Sequence, residues 1–195
     1  MSNYNKAIHI AFEYTEEKSA LRRFRDRFAV VLTTLGIGYL PLIPGTLASA
    51  FTVGIYFFIA SFELSLIEHL IASGYAREKI LAWLHFFNLL VFLVFCLVGI
   101  WASGIAVDVL KDKDPKQAVI DEVIGQMITF LFVPFSLNLG VLMAGFVLFR
   151  IFDIWKPYPI NSLQNLPSGL GVCADDILAG VYAGVVLSFI YAITF

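Results

Sequence analysis

Charge is scarce in this chain. Only 14% of its 195 residues are Asp, Glu, Lys or Arg, where a soluble domain carries roughly 25%, and that shortfall excludes an ordinary water-soluble globule. Cysteine is scarcer still. Cys96 and Cys173 are the only two, too few for a disulfide framework, and Cys96 falls inside an apolar run where a bond to Cys173 is not expected. The first 27 residues are polar and charged, with no apolar stretch behind a basic start, so no cleavable signal sequence is expected and the first spanning helix should direct insertion itself. The formal net charge of −2 decides nothing, because the charges are segregated along the chain.

Apolar surface is what the sequence has in abundance. Hydrophobic residues make up 59% and aromatics 15%, and charge-free runs extend from Phe28 to Phe62, Ile80 to Val107, Val123 to Phe149 and Ile177 to Phe195. About 20 such residues cross the hydrocarbon core as a helix. The sequence therefore predicts an all-α, polytopic membrane bundle of four to five spanning or re-entrant helices. It reads as one embedded domain over 28–195, preceded by a basic arm over 1–27.

Within the arm, Glu16 to Phe28 reads as a short amphipathic helix in which Leu21, Phe24 and Phe28 recur at helical spacing among Arg22, Arg23, Arg25 and Arg27. It is expected to lie flat on the membrane, with anionic lipid adding about 1 kcal/mol per basic residue near the surface. Arginines so close to the first apolar run also place this end on the cytoplasmic side. The segment GIGYLPLIPGTLAS, residues 36–49, is too rich in glycine and proline for a continuous helix. Thr46 is expected there as the N-cap of a helix over Leu47 to Phe62. The free N–H groups of such a terminus suit an anion like phosphate, which makes Gly45, Thr46 and Ser49 candidate phosphate-binding residues.

Carboxylates lie where a membrane chain tolerates them least. Three acidic segments, DPKQAVIDEVIGQ at 114–126, FRIFDIWKP at 149–157 and GVCADDILAG at 171–180, abut the apolar runs, although an aspartate at the centre of a membrane helix costs on the order of 2.5–3.5 kcal/mol. Asp121, Glu122, Asp153, Asp175 and Asp176 therefore ask for a shared cation. Whether they can meet depends on the number of crossings. The second span, near Ala82 to Val107, ends in a mixed-charge linker through Asp108 and Asp114. The third run, Val123 to Phe149, would be roughly 40 Å long as one helix, yet Pro134, Asn138 and Gly140 interrupt its middle. A single crossing would leave Asp153, Asp175 and Asp176 on the far side from Asp121 and Glu122. A hairpin with arms Ala118 to Pro134 and Leu139 to Trp155 returns all five to the inner face beside GIGYLPLIPGT, and it is the expected arrangement. Arms this short need local thinning or burial against neighbours. Glu63 to Lys79 reads as a periplasmic connector, and the last run leaves Phe195 outside.

With Arg150 and Lys156 at helical spacing from Asp153, these acids fit phosphoryl chemistry. Mg²⁺ takes carboxylate, water and phosphate oxygens, and cationic side chains offset charge on the phosphoryl group. The segments GIGYLPLIPGTLAS, DPKQAVIDEVIGQ, FRIFDIWKPYPI and GLGVCADDILAGV, in that order, closely resemble the bacterial phosphatidylglycerophosphatase A family over roughly Val30 to Val185. The resemblance implies a Mg²⁺-dependent enzyme of the cytoplasmic membrane, its site facing the cytoplasm, that converts phosphatidylglycerophosphate in the bilayer to phosphatidylglycerol. It further implies Asp121, Glu122, Asp153, Asp175 and Asp176 as metal ligands and, with Lys156, as catalytic residues; Arg150 and Lys156, beside these acids, are candidate contacts for substrate phosphate. Two positions depart from the family pattern: Ala48 replaces glycine in PGTxGS, and Cys173 stands where methionine is favoured. Neither change removes a carboxylate.

Competing classes lack their residues. His9, His69 and His85 have none of the basic and serine motifs that surround a histidine nucleophile, and the DG-x-x-AR signature of alcohol phosphatidyltransferases does not occur. DKDP at 112–115 lacks the preceding strand and the following threonine or valine of an aspartate-nucleophile phosphatase, and reads as loop. A cation transporter would hold its acids near the bilayer midplane instead of at run ends, and a scaffold has no use for paired acids. Membrane lipids are the expected partners, and nucleic acid is not.

Overall fold

Seven α-helices and no strand occur among the described residues, which are 19–40, 43–113 and 115–194 of the computed structural model. The first helix, α1, covers 19–34. Nothing breaks it at Phe28, the expected end of the arm, because FAVVLTT contains neither glycine nor proline; it stops where Leu35 and Gly36 adopt left-handed φ of 48° and 70°. The expected start at Glu16 lies outside the described residues. A 3-10 turn, Ile37–Tyr39, leads on to α2, Pro44–Ala72.

Two expectations about α2 are corrected. Its N-cap is Ile43 and Pro44 occupies the first helical position, so Thr46 lies inside the first turn and is not the cap. Proline's fixed φ and missing N–H suit that first position. The helix also runs on through Glu63 to Ala72, reducing the expected connector to 73–76 before α3, Arg77–Leu110. No breaker intervenes before Gly74, at φ 91°. The charge of Glu63 does not end the helix because the side chain is buried and accepts a hydrogen bond from Asn88 Nδ2 of α3 at 3.1 Å.

Among the described residues, three helices are long and apolar enough to cross a membrane: α2 with 29 residues, α3 with 34 and α7, Gly169–Thr194, with 26. Their exposed Phe58, Phe62, Val91, Leu97 and Phe189 form lipid-facing surface. The third apolar run is the expected hairpin, made of α4, Ile120–Phe130, and α5, Leu139–Trp155. Residues 131–138 between them are not helical, and Asn138 caps α5 by accepting the Gly140 N–H at 2.7 Å. The start and end of α5 match expectation. At 11 residues, α4 is shorter than expected and only about 16 Å long, so it enters the bundle without crossing it. At the hairpin tip, the Ser136 N–H donates to Tyr56 Oη at 3.2 Å, and the Tyr56 ring stacks on Phe130 with centroids 4.3 Å apart.

Helix α4 is the axis of the bundle, packed against α2, α3, α5 and α7. Ile120, Ile124, Val172 and Cys173 fill the core at its beginning, and Phe130, Val141, Leu142 and Leu187 fill it at its end. A short α6, Ile160–Leu163, bridges α5 to α7. In consequence the start of α2, the start of α4, the end of α5 and the start of α7 meet at one end of the molecule.

Candidate metal centre and phosphate site

Asp121 and Glu122 occupy the first turn of α4, where free backbone N–H groups and the helix dipole favour negative charge. Asp176, in the second turn of α7, completes a triad in which one carboxylate oxygen from each residue lies within 4.8 Å of the other two. The helices approach this closely because Gly125 and Gly180 face each other. A Cβ on Gly125 would lie 2.5 Å from the Asp176 carbonyl oxygen, and one on Gly180 would strike the Gly125 carbonyl. Small residues permit such backbone contact between membrane helices.

Asp153 and Asp175 adjoin the triad but are engaged by cations. Arg150 Nη1 lies 2.5 Å from Asp153 Oδ2, and Lys156 Nζ lies 3.9 Å from Asp153 Oδ1 while pairing closely with Asp175 Oδ2. Lys156 is aimed there by its backbone: it ends α5 in the left-handed conformation, φ 47°, with its N–H donating to Phe152 O at 2.9 Å, and Pro157 prevents the helix from continuing. Burial disfavours its ammonium, but Asp175, Asp176 and Asp153 outweigh that and hold its pKa above the ordinary lysine value. Asp175 also accepts from Gln164 Nε2 at 3.0 Å.

The first turn of α2 closes the site. Gly45 lies so near Glu122 that a Cβ there would strike the carboxylate, and Arg150 Nη1 would be 3.4 Å from it. Ser49 donates to Gly45 O at 2.9 Å and accepts from Arg150 Nη1 at 3.4 Å. Thr46 shares this turn and is partly buried. The two departures in sequence have packing roles: Ala48 is fully buried against Val119 and Val123, and Cys173 Sγ lies 3.6 Å from Ser103 Oγ.

All ten residues singled out in the sequence thus fall at this end of the bundle. Two more emerge only from the fold. Gln164 holds Asp175, and Gln126, one turn below Glu122, is fully buried with neither amide atom partnered. Their only signal in sequence is the position of Gln126 in the DEVIGQ segment. His69 lies in the last turn of α2 and His85 in the early part of α3, both toward the opposite end, while His9 is outside the described residues.

Among the described residues, the five carboxylates of Asp121, Glu122, Asp153, Asp175 and Asp176 face two cations, Arg150 and Lys156, leaving a surplus of negative groups in a buried setting. Of these acids, the four aspartates are at most 9% exposed. Asp121 Oδ1, Glu122 Oε2 and Arg150 Nε are also buried without a hydrogen-bond partner. Buried charge is costly unless paired or metal-bound. An all-oxygen donor set with unspent lone pairs fits a hard divalent cation.

Comparison with known proteins finds lipid phosphatases. The chain is 32% identical over 171 residues to a Bacteroides thetaiotaomicron protein named "Putative phosphatidylinositol-3-phosphatase", covering 84% of this chain and 94% of that one. It is 31% identical over 156 residues to phosphatidylglycerophosphatase A of Escherichia coli, covering 80% and 78%. With the Haemophilus influenzae protein of the same name it shares 36% over 100 residues, 50% and 61% of the two chains. No solved structure matches. The family model for phosphatidylglycerophosphatase A matches residues 30–191, a span that contains every segment lining the site, and the chain belongs to that family.

Proposed function

We propose that the protein hydrolyses the terminal phosphomonoester of phosphatidylglycerophosphate, giving phosphatidylglycerol and inorganic phosphate at the inner face of the bacterial cytoplasmic membrane. The observation that carries this reading is the imbalance of five carboxylates against two cations, with orphaned oxygens, at the end of a membrane bundle. Mg²⁺ held by Asp121, Glu122 and Asp176, with Asp153 and Asp175 adjoining, would supply positive charge at the phosphoryl oxygens and acidify bound water.

The chain's own groups do the rest. Arg150 offers its unpartnered Nε–H to a phosphate oxygen, and Lys156 contributes fixed positive charge where negative charge accumulates in phosphoryl transfer. The absence of a side chain on Gly45 lets the first turn of α2 bring its backbone close to the same group. Water oxygen bonds to phosphorus as the bond from phosphorus to the glycerol oxygen breaks. A site carboxylate takes the water's proton, and the glycerol oxygen leaves as a hydroxyl after accepting one. Attack by an aspartate, forming an acyl-phosphate, is the other route, and rapid-quench trapping separates the two. The acyl chains stay in the bilayer throughout.

The Bacteroides relative supports a second reading, in which the phosphate is borne by an inositol headgroup. Purified protein with Mg²⁺ and either lipid decides between them. Faster phosphate release from phosphatidylglycerophosphate is expected, and faster release from phosphatidylinositol 3-phosphate would reassign the headgroup. No release from either, or release that survives both EDTA and Asp121→Asn, overturns the phosphatase reading.

A further inference from the structure

Helix α1 is anchored at one end and bare at the other. At its inner end Ala29, Thr33 and Thr34 are buried, and Thr33 O accepts the Val119 N–H at 3.0 Å, just ahead of Asp121. Its outer part, residues 19–28, is almost wholly exposed. Leu21, Phe24, Phe28 and Val31 are 62%, 71%, 49% and 65% exposed, and their spacing of three, four and three puts them on one stripe. The Phe24 and Phe28 rings stack at 6.4 Å. Arg22, Arg23, Arg25 and Arg27 are also exposed. Asp26 engages Arg25 at 2.6 Å and Arg22 at 4.0 Å, whereas Arg23 and Arg27, one turn apart, have no ion-pair partner among the described residues.

We infer that the outer half of α1 is a docking surface for anionic phospholipid, and that it concentrates this lipid class beside the carboxylate site. An apolar stripe flanked by arginines seats at the boundary of headgroups and acyl chains. The inner end of α1 is fixed at the level where the spans terminate, so the bilayer surface is already within reach of the stripe. Guanidinium groups bind phosphate oxygens through paired N–H donors, and a basic residue at the surface favours anionic lipid by about fivefold. The site itself is buried and surplus in carboxylates, so its own side chains do not draw anionic headgroups from a distance. A neighbouring cationic helix therefore has a job that the site cannot do.

The collecting role rests on the phosphatase reading, but the docking does not, so the two are tested apart. In bilayers containing the full-length protein, spin-labelled phosphatidylserine, which carries no phosphomonoester, is compared with spin-labelled phosphatidylcholine for association with the protein. A severalfold preference for the anionic lipid is expected. It should fall toward unity in Arg23→Gln/Arg27→Gln and at high salt, and the same variant should raise the KM for dilute lipid substrate severalfold at unchanged kcat. No preference in the unaltered protein, or full preference in the double variant, overturns the docking. Disulfide formation between two copies of Phe24→Cys would assign the stripe to a self-interface and overturn it as well. Lipid preference without phosphate release from any lipid leaves the docking standing and removes the phosphatase reading.

Discussion

Arg150 is tied to two sides of the site by a single nitrogen, since Nη1 reaches both Asp153 and Ser49 while Nε stays buried and unpartnered. A lysine has one point charge and no fork, so it cannot hold both partners and still offer a donor to substrate. Arg150→Lys should lower kcat/KM by about 100-fold, the scale of losing a directed donor to developing charge, with the unfolding midpoint little changed; full activity would remove Arg150 from the site. At this scale the sequence was informative where chemistry is local. Arg150, Asp153 and Lys156 follow one another at three-residue steps, so their shared helix face is visible from spacing alone. Gln164 was not legible, because it reaches Asp175 through the path of α6 and the turn after it, which no periodicity fixes. Thr46 reads as a cap because it is a threonine before an apolar run, but the proline two residues earlier takes the first helical position.

The hairpin was legible at the level of elements for a physical reason: Pro134, Asn138 and Gly140 break a run too long for one crossing, and only a return path brings Asp153 back to Asp121. What sequence could not give was the shortness of α4 or its central position, which depend on close contact with α7. That contact predicts its own weak point. Gly180→Val should push against the Gly125 carbonyl, separate α4 from α7 and cost about 1–3 kcal/mol by overpacking. Thermal unfolding in detergent would register this as a lowered midpoint, and an unchanged midpoint would mean the two backbones are not in contact. The extension of α2 through Glu63 supplies another test. Asn88→Leu removes the partner of buried Glu63, and a polar contact between membrane helices is worth about 0.6 kcal/mol, at most roughly 1.7. A small drop in midpoint is expected, with Glu63→Leu in the same chain restoring it by removing the orphaned acid.

For the whole molecule, the acids that would repel one another without a counterion should make the fold sensitive to divalent metal. A ligand that binds only the folded state stabilises it by about 2.7 kcal/mol at a hundredfold excess over its Kd. For a chain of this length that is roughly 5–10 °C in midpoint. Mg²⁺ should therefore raise the unfolding midpoint of the unaltered protein and leave that of Asp121→Asn/Asp176→Asn nearly unmoved; equal shifts in both would place the ion elsewhere. Composition and run lengths were enough to establish an all-helical bundle, and the crossing count was enough to gather the acids.

Because α2, α4, α5 and α7 all turn their acid- or glycine-bearing ends the same way, the protein has a built-in handedness with respect to the two monolayers. Lipid in the distant monolayer is out of reach however abundant it is, so consumption of a pool spread through both should pause once the near monolayer is spent, and resume only at the pace of unassisted flip-flop.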